Sequence, residues 1–486
     1  MIFNSLTFLL FLAITTSLYW LLPRVGRLWM LFLASLMFYG FWRLDFVTLM
    51  LVSSATDYFV SLAMDRSEDD RRRWRLLLLS LTINLSLLFF FKYLLFATEN
   101  IWFVLHLLGV DSPPPVLNIV LPLGISFYTF QTISYSVDVY RRFIKPERNF
   151  ILYSVYVMYF PQLVAGPILR ASEVLPQLDV RPAFRIDDIV VGVKRILFGL
   201  FLKVVLADNI AETVDTGFGM PVSALTAIDV WTLAFLFGFQ IYFDFSAYSH
   251  IAIGSARLMG IHFPENFNFP YFANSPRDFW RRWHISLSSW IRDYLYLPLA
   301  GAKVYDKSTG GLVPSPADSG VSPKWTRALF FTWALMGLWH GAAWTFLVWG
   351  LWHAVMVQIY RSSESLRVRL PMLVRNLGGW VVTLAAVMLA WIPFRAAGID
   401  DTLTMLAKVI QPQEYLALGM RENAYLTAAT VMVALIIAYS VSRWLIPLRQ
   451  RHPAVFVLPE SVVYGVAFGL VFVFLRPAQQ FIYFQF

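Results

Sequence analysis

Cysteine is absent from the 486-residue chain, which excludes disulfides, thiolate metal sites, palmitoyl anchors and a cysteinyl acyl-enzyme. Charge is scarce: 14% of residues are Asp, Glu, Lys or Arg, where a soluble domain carries about 25%. The phosphate loop G-x-x-x-x-G-K-[ST], the dinucleotide fingerprint G-x-G-x-x-G, the elbow G-x-S-x-G and the zinc motif H-E-x-x-H are all missing. An ATP-driven machine, an elbow-type serine hydrolase and a zinc enzyme of that type are therefore not expected. No internal repeat and no separate soluble domain is visible.

What is present is hydrocarbon. Hydrophobic residues make up 58% of the chain and aromatic ones 17%, with a mean hydropathy of +0.61. Apolar runs of about 20 residues recur, the length that crosses a ~30 Å hydrocarbon core. The chain is expected to be an all-α polytopic membrane protein with about ten to twelve transmembrane helices. Its first apolar run, 6–22, has no basic residue before it and no small-x-small cleavage site after it, so it reads as a retained first span.

The net charge of +9 sits in short loops and calls for a membrane surface rather than nucleic acid. Arg24 and Arg27 follow the first span; Arg66, Arg71, Arg72, Arg73 and Arg75 follow the third; Arg141, Arg142, Lys145 and Arg148 follow the fifth. The connections 42–45 and 97–118 are poor in Lys and Arg. Every second loop is basic, which places 64–75 and 140–149 in the cytoplasm and the N-terminus outside. The polar stretch 301–327, rich in Gly, Pro, Ser and Lys, reads as a flexible cytoplasmic loop within one membrane-embedded domain, 1–486.

Two segments resist reading as plain spans. In "DFWRRWHISLSSWIRDYLYLP" (278–298), a helical wheel puts Trp280, Trp283, Leu287, Trp290, Ile291 and Tyr294 on one face. Asp278, Arg281, Arg282, Arg292 and Asp293 gather on the other. That pattern predicts an interfacial or re-entrant amphipathic helix, with His284 on the flank of its apolar face. By the wheel alone, His284 either belongs to an interfacial aromatic belt or serves a function.

The second segment, 328–360, contains "GLWHGAAWTFLVWGLWH" and would run roughly 50 Å as one straight helix. Basic residues flank it on both sides, so the chain is expected to enter the membrane and return, breaking at Gly337, Gly341 or Gly350. His340 is the one ionisable residue between Phe330 and Trp349. It lies 13 residues past Arg327, about 20 Å along a helix, and so deep in the membrane. Intramembrane ionisable groups are costly, and they line pathways or react. A neutral imidazole there is the form a general base needs. His353, nearer a flank, reads as structural. Asp244, with Tyr248 one turn along, either orients a histidine or pairs with Lys203 as structural glue, and the second reading is favoured.

"PLGISFYTFQTISYSVDVYR" (122–141), "YFPQLVAGPI" (159–168), "QIYFDFSAYSHIAIG" (240–254), "NFNFPY" (266–271), the W-H-I-S and L-W-H-G segments and the terminal "FIYFQF" resemble the membrane-bound O-acyltransferase family. The similarity is greatest to its bacterial branch of alginate O-acetyltransferase and teichoic-acid D-alanylation membrane proteins. The resemblance implies a ring of helices, with re-entrant or interfacial pieces, around a central tunnel. It implies His340 as the catalytic residue and His284 as a second polar group facing that tunnel, with Trp339, Asp244 and Tyr248 as support.

The implied chemistry is transfer of an acetyl group from a cytoplasmic thioester, acetyl-CoA or an acyl carrier, with no bound cofactor and no metal. Arg281 and Arg282 either hold donor phosphates or snorkel to lipid headgroups. Transfer is either direct or through a transient acyl-His340. The acceptor side implies an extracytoplasmic acetyltransferase or acyl-acceptor protein of an exported polysaccharide system such as alginate, in a bacterial inner membrane. D-alanyl transfer to teichoic acid and a non-enzymatic acyl transporter remain as alternatives.

Overall fold

The computed structural model describes residues 1–180, 182–302, 305–306, 311–312, 323–476 and 481. Apart from one antiparallel pair of two-residue strands, Tyr305–Asp306 with Gly311–Leu312, the regular elements among these residues are helical. Most of the stretch 301–327 lies outside the described residues. Its last part, from Pro323, is helix rather than loop.

The chain opens with α1 (Leu6–Leu21), α2 (Arg24–Gly40) and α3 (Asp45–Asp65). Next, α4 (Asp70–Leu88) runs through a π-helical turn, Phe89–Tyr93, into α5 (Leu94–Leu107). Helix α6 (Ile125–Tyr140) packs against α3 and α4. A buried polar clamp holds these three: the Asp57 carboxylate accepts from Ser80 Oγ at 2.5 Å and Asn84 Nδ2 at 2.8 Å. Arg142 pairs with Glu68 and Asp70, each at 3.6 Å, and Arg73 donates to the Val139 carbonyl at 2.8 Å. The two basic loops read from the sequence as lying on one side thus lie together at one end of the molecule.

Two short helices follow, α7 (Phe150–Met158) and α8 (Ala171–Asp179), joined by buried irregular backbone. Non-helical backbone at this depth survives only when protein groups satisfy it. Here Phe160 N–H donates to Ser35 Oγ at 3.1 Å, Ile168 N–H to Ser286 Oγ at 3.0 Å, and Gln162 Nε2 to the Tyr156 carbonyl at 2.7 Å. Beyond them, α9 (Ile186–Leu200) leads through a second π-helical stretch, Phe201–Ala207, into α10 (Asp208–Phe218).

The hub is α11 (Ala227–Leu258), whose start is fixed by a capping box between Thr226 and Asp229. It lies tight against α9 because Gly199 leaves room: a Cβ there would come within 2.7 Å of the Ala247 carbonyl oxygen.

The expected single helix over 278–298 is instead two runs: α12 (Pro276–Trp280), and a second made of α13 (Ile285–Ile291), a π-helical turn Arg292–Tyr296 and α14 (Leu297–Ala300). The break falls at His284, whose φ of 41° is left-handed, a conformation that costs a residue with a Cβ roughly 1–2 kcal/mol. The polar face is also not all solvated. Asp293 is 1% exposed, neutralised by Arg170 and, at 2.7 Å, by Arg292.

Helices α15 (Pro323–His340) and α16 (Trp344–Ser362) follow, then α17 (Glu364–Arg367), α18 (Met372–Arg395), α19 (Ile399–Val409), α20 (Glu422–Arg451) and α21 (Pro453–Phe474). Among the described residues, six helices are long and apolar enough to cross a membrane: α3, the continuous α4–α5, α11, α18, α20 and α21. The last two have 11% and 6% of their apolar windows buried and form the lipid-facing periphery. The chain is a multi-pass membrane protein.

Candidate active site

Helices α15 and α16 pack closely against one another, and the chain reverses in the three residues 341–343. The glycines divide the labour. Gly341 sits in the turn, where a Cβ would strike the Phe346 ring at 2.0 Å. Gly337 and Gly350, expected as breaks, instead let the two arms touch: a Cβ on Gly337 would meet the Phe346 carbonyl oxygen at 2.3 Å, and one on Gly350 the Trp333 carbonyl oxygen at 2.2 Å. The hairpin closes on His340, the last residue of its first arm.

A helix leaves its last four carbonyls without internal partners. Here Gly341 N–H reaches the Gly337 oxygen at 3.4 Å, Tyr93 Oη–H donates to the Leu338 oxygen at 3.1 Å, and Lys92 Nζ donates to the oxygens of Trp339 at 2.5 Å and His340 at 3.1 Å. Lys92 and Tyr93 belong to the π-helical turn between α4 and α5, a type of bulge frequent at functional sites. Sequence reading missed Lys92. The signal was present, since a lone cation inside the apolar run "LLFFFKYLLF" carries the same intramembrane cost, about 3 kcal/mol on insertion scales, that singled out His340.

The His340 side chain is buried among rings: Trp349 at 4.8 Å, Trp339 at 4.9 Å and Phe394 at 5.4 Å between centroids. Lys92, His284 and His353 are all within electrostatic reach of it. His284 is 0% exposed, with Phe245 of α11 edge-on at 4.6 Å and Phe127 stacked at 6.3 Å. Its Nδ1 faces Asn266 Oδ1 at 3.2 Å. Asn266 is itself pinned, accepting from Ser286 Oγ at 2.9 Å and donating to Ser249 Oγ at 3.1 Å. An aromatic stack ties the two histidine segments together. Trp290 lies flat on Phe130 at 4.0 Å, and Phe130 lies on Trp339 at 5.1 Å.

Beside the hairpin is a cavity of about 610 Å³, whose lining includes Arg277, Arg281, Arg292, Arg361, Arg367 and Arg375. Among these, Arg277, Arg281, Arg292 and Arg375 are exposed, whereas the lining residues Trp280, Trp333 and Met336 are buried. Arg281 is thus an exposed residue at the rim of this cavity. Arg282 does not line the cavity and instead binds Asp278 at 2.9 Å. Trp280 and Trp333 meet edge to face at 4.7 Å and form a wall. His353 packs against that wall, accepting from Trp280 Nε1 at 3.3 Å. Of the remaining sequence-derived candidates, Asp244 pairs with Lys203 at 2.5 Å, and Tyr248, on the same face of α11, stacks on Phe3 at 4.4 Å.

A buried imidazole at the tip of a broken hairpin, a second imidazole in a pinned polar network and an arginine-lined cavity form a constellation able to move a proton beside a pocket that favours anions. Residues 145–311 match the model of the membrane-bound O-acyltransferase family. The chain is 37% identical to the "Probable alginate O-acetylase AlgI" of Azotobacter vinelandii over 91% of its own length and 84% of that protein's. It is 34% identical to the "Peptidoglycan O-acetyltransferase" of Helicobacter pylori over 80% and 74%. To the "Teichoic acid D-alanyltransferase" of Bacillus subtilis it is 29% identical over 56% and 67%. Similarity at this level over most of both chains makes this protein a member of the membrane-bound O-acyltransferase family.

Proposed function

We propose that this chain, acting as one membrane domain over 1–486, moves an acetyl group from a cytoplasmic thioester to the outer side of a bacterial inner membrane. There the group serves O-acetylation of an exported polysaccharide through an extracytoplasmic partner. In this reading the helices ring a central tunnel, and donor and acceptor meet at His340. The observation that carries it is the buried His340 at the hairpin tip, separated by Trp349 and the Trp280–Trp333 wall from an arginine-lined cavity. The acetyl reading is supported above the D-alanyl one because the O-acetylase relatives match more of the chain and at higher identity.

Neutral His340 takes the proton of the acceptor hydroxyl as its oxygen attacks the thioester carbonyl. His284, whose Nδ1–H donates to Asn266 Oδ1, presents Nε2 as an acceptor and orients the incoming acceptor molecule through one of its hydroxyls. The tetrahedral intermediate collapses with cleavage of the carbon–sulfur bond, and the imidazolium returns its proton to the departing thiolate. The products are an acetyl ester and a free thiol. The test is to supply the detergent-solubilised chain with acetyl-CoA and measure thiol release and acetyl transfer; neither occurs if the protein only conducts an acyl carrier.

The arginine-lined cavity is the donor entrance. Arg281→Ala is expected to raise the KM for acetyl-CoA about 3–10-fold with little change in kcat, the loss of one partly solvated phosphate contact. Arg282→Ala, whose partner is Asp278 in a partly buried i,i+4 pair, should leave that KM within about twofold, since Arg282 does not line the donor cavity. Equal effects from the two would remove Arg281 from the donor site.

The orientation has an equally direct check. Glu68 and Lys145 are exposed in the two basic loops, whereas Ser67 is buried and unsuited to labelling. Single cysteines at Glu68 and Lys145 should be shielded from an impermeant thiol reagent in intact cells and label after lysis, because basic loops stay cytoplasmic. Labelling of both from outside would invert the topology.

A further inference from the structure

We infer that Lys92 is a positioning residue of the acyl-transfer reaction: its ammonium group terminates the first arm of the hairpin and thereby holds His340 at the transfer point. The inference rests on the proposed role of His340.

Three observations carry it. The Lys92 ammonium donates to the carbonyl oxygens of Trp339 and His340, at 2.5 and 3.1 Å, so it grips the peptide of His340 itself. Among the described residues Lys92 forms no ion pair with a carboxylate. The partners of this membrane-embedded cation are instead the negative end of the α15 dipole and the Trp339 ring, 5.8 Å from Nζ. The π-helical turn Phe89–Tyr93 then explains how one helix supplies two consecutive donors. The extra residue turns both Lys92 and Tyr93 toward the hairpin, where Tyr93 takes the Leu338 oxygen at 3.1 Å. Three consecutive carbonyls are thus held by one turn of another helix, and the imidazole hangs from the last of them.

Such a clamp serves position more than depth. The turn 341–343 carries only one backbone hydrogen bond of its own, Ala343 N–H to the Gly341 oxygen at 2.9 Å. Without Lys92 the end of α15 frays, and His340 loses its place relative to His284 and the aromatic layer. A misplacement of ~1 Å lowers turnover about 100-fold without weakening donor binding at a distant mouth.

The experiment compares full-length Lys92→Met with Lys92→Arg in detergent, by thiol release from acetyl-CoA and by amide hydrogen exchange of peptides covering 337–347. Lys92→Met is expected to lower kcat by about 100-fold with an unchanged KM for acetyl-CoA, and to speed exchange at the hairpin tip at least tenfold. Lys92→Arg, which keeps the charge and the donors, should retain slow exchange and at least about a tenth of the turnover. A Lys92→Met chain with normal exchange at the tip overturns the inference. So does one with less folded protein but normal turnover per folded molecule. If the wild-type chain releases no thiol from acetyl-CoA, the donor assignment fails, and the exchange measurement still decides the role of Lys92.

Discussion

Replacing His340 with alanine is expected to abolish acetylation of the exported product while the chain still inserts and folds. A general base contributes about 10²–10⁴ in rate, enough to take complementation of a deletion strain below detection. The matched control lies on the other arm of the hairpin. His353 is 1% exposed and is enclosed by Trp280, Trp333 and Trp349, with centroids at 5.0, 5.4 and 4.8 Å. Alanine there would open a cavity, so phenylalanine is the better control. His353→Phe keeps a ring in place, leaves Trp280 Nε1 without its acceptor for about 1–3 kcal/mol, and should preserve most of the activity. Product acetylation by each variant, normalised to its membrane level, is the measurement. Near-normal acetylation by His340→Ala would end the catalytic assignment and favour an acyl transporter.

His284→Phe should cut turnover by one to three decades, the consequence of losing a group that positions the acceptor, with membrane levels unchanged. The left-handed backbone at this position makes a second variant informative. Asparagine tolerates φ > 0 better than phenylalanine does, so His284→Asn should be as slow as His284→Phe but unfold at a higher temperature. Full activity in either would remove His284 from the site.

The sequence carried the hairpin well because two independent signals agreed: a segment too long for one span and basic residues at both of its ends. It carried the function of the three glycines less well, since a glycine that turns the chain and one that lets two helices touch look alike without the partner helix. Over 278–298, periodicity sorted most of the apolar side chains correctly. Trp280, Trp283, Leu287, Trp290 and Ile291 are all buried. Periodicity did not reveal that the helix breaks, because one residue at φ 41° leaves no trace in the hydrophobic pattern. Asp293 was misplaced for a related reason: its partner Arg170 lies 123 positions away, beyond any local window. The π-helical turn that delivers Lys92 was equally invisible, whereas the lone lysine itself was legible. Counting spans by length does not capture α7 and α8 either, two half-helices whose buried connection is stabilised by side chains from elsewhere in the fold.

The wall of Trp280 and Trp333 has a consequence for the cell as a whole. An open conduit wide enough for a thioester would let protons and ions through and dissipate the gradients across the membrane it sits in. Two large rings meeting edge to face, backed by Trp349 and His353, would act as electrical insulation along the proposed tunnel. In the proposed reading, the small, uncharged acetyl group needs these rings to shift only briefly, while the phosphates of its carrier stay behind at the arginines. Acyl export by that route would leave the ion gradients intact and draw its driving force from the thioester bond.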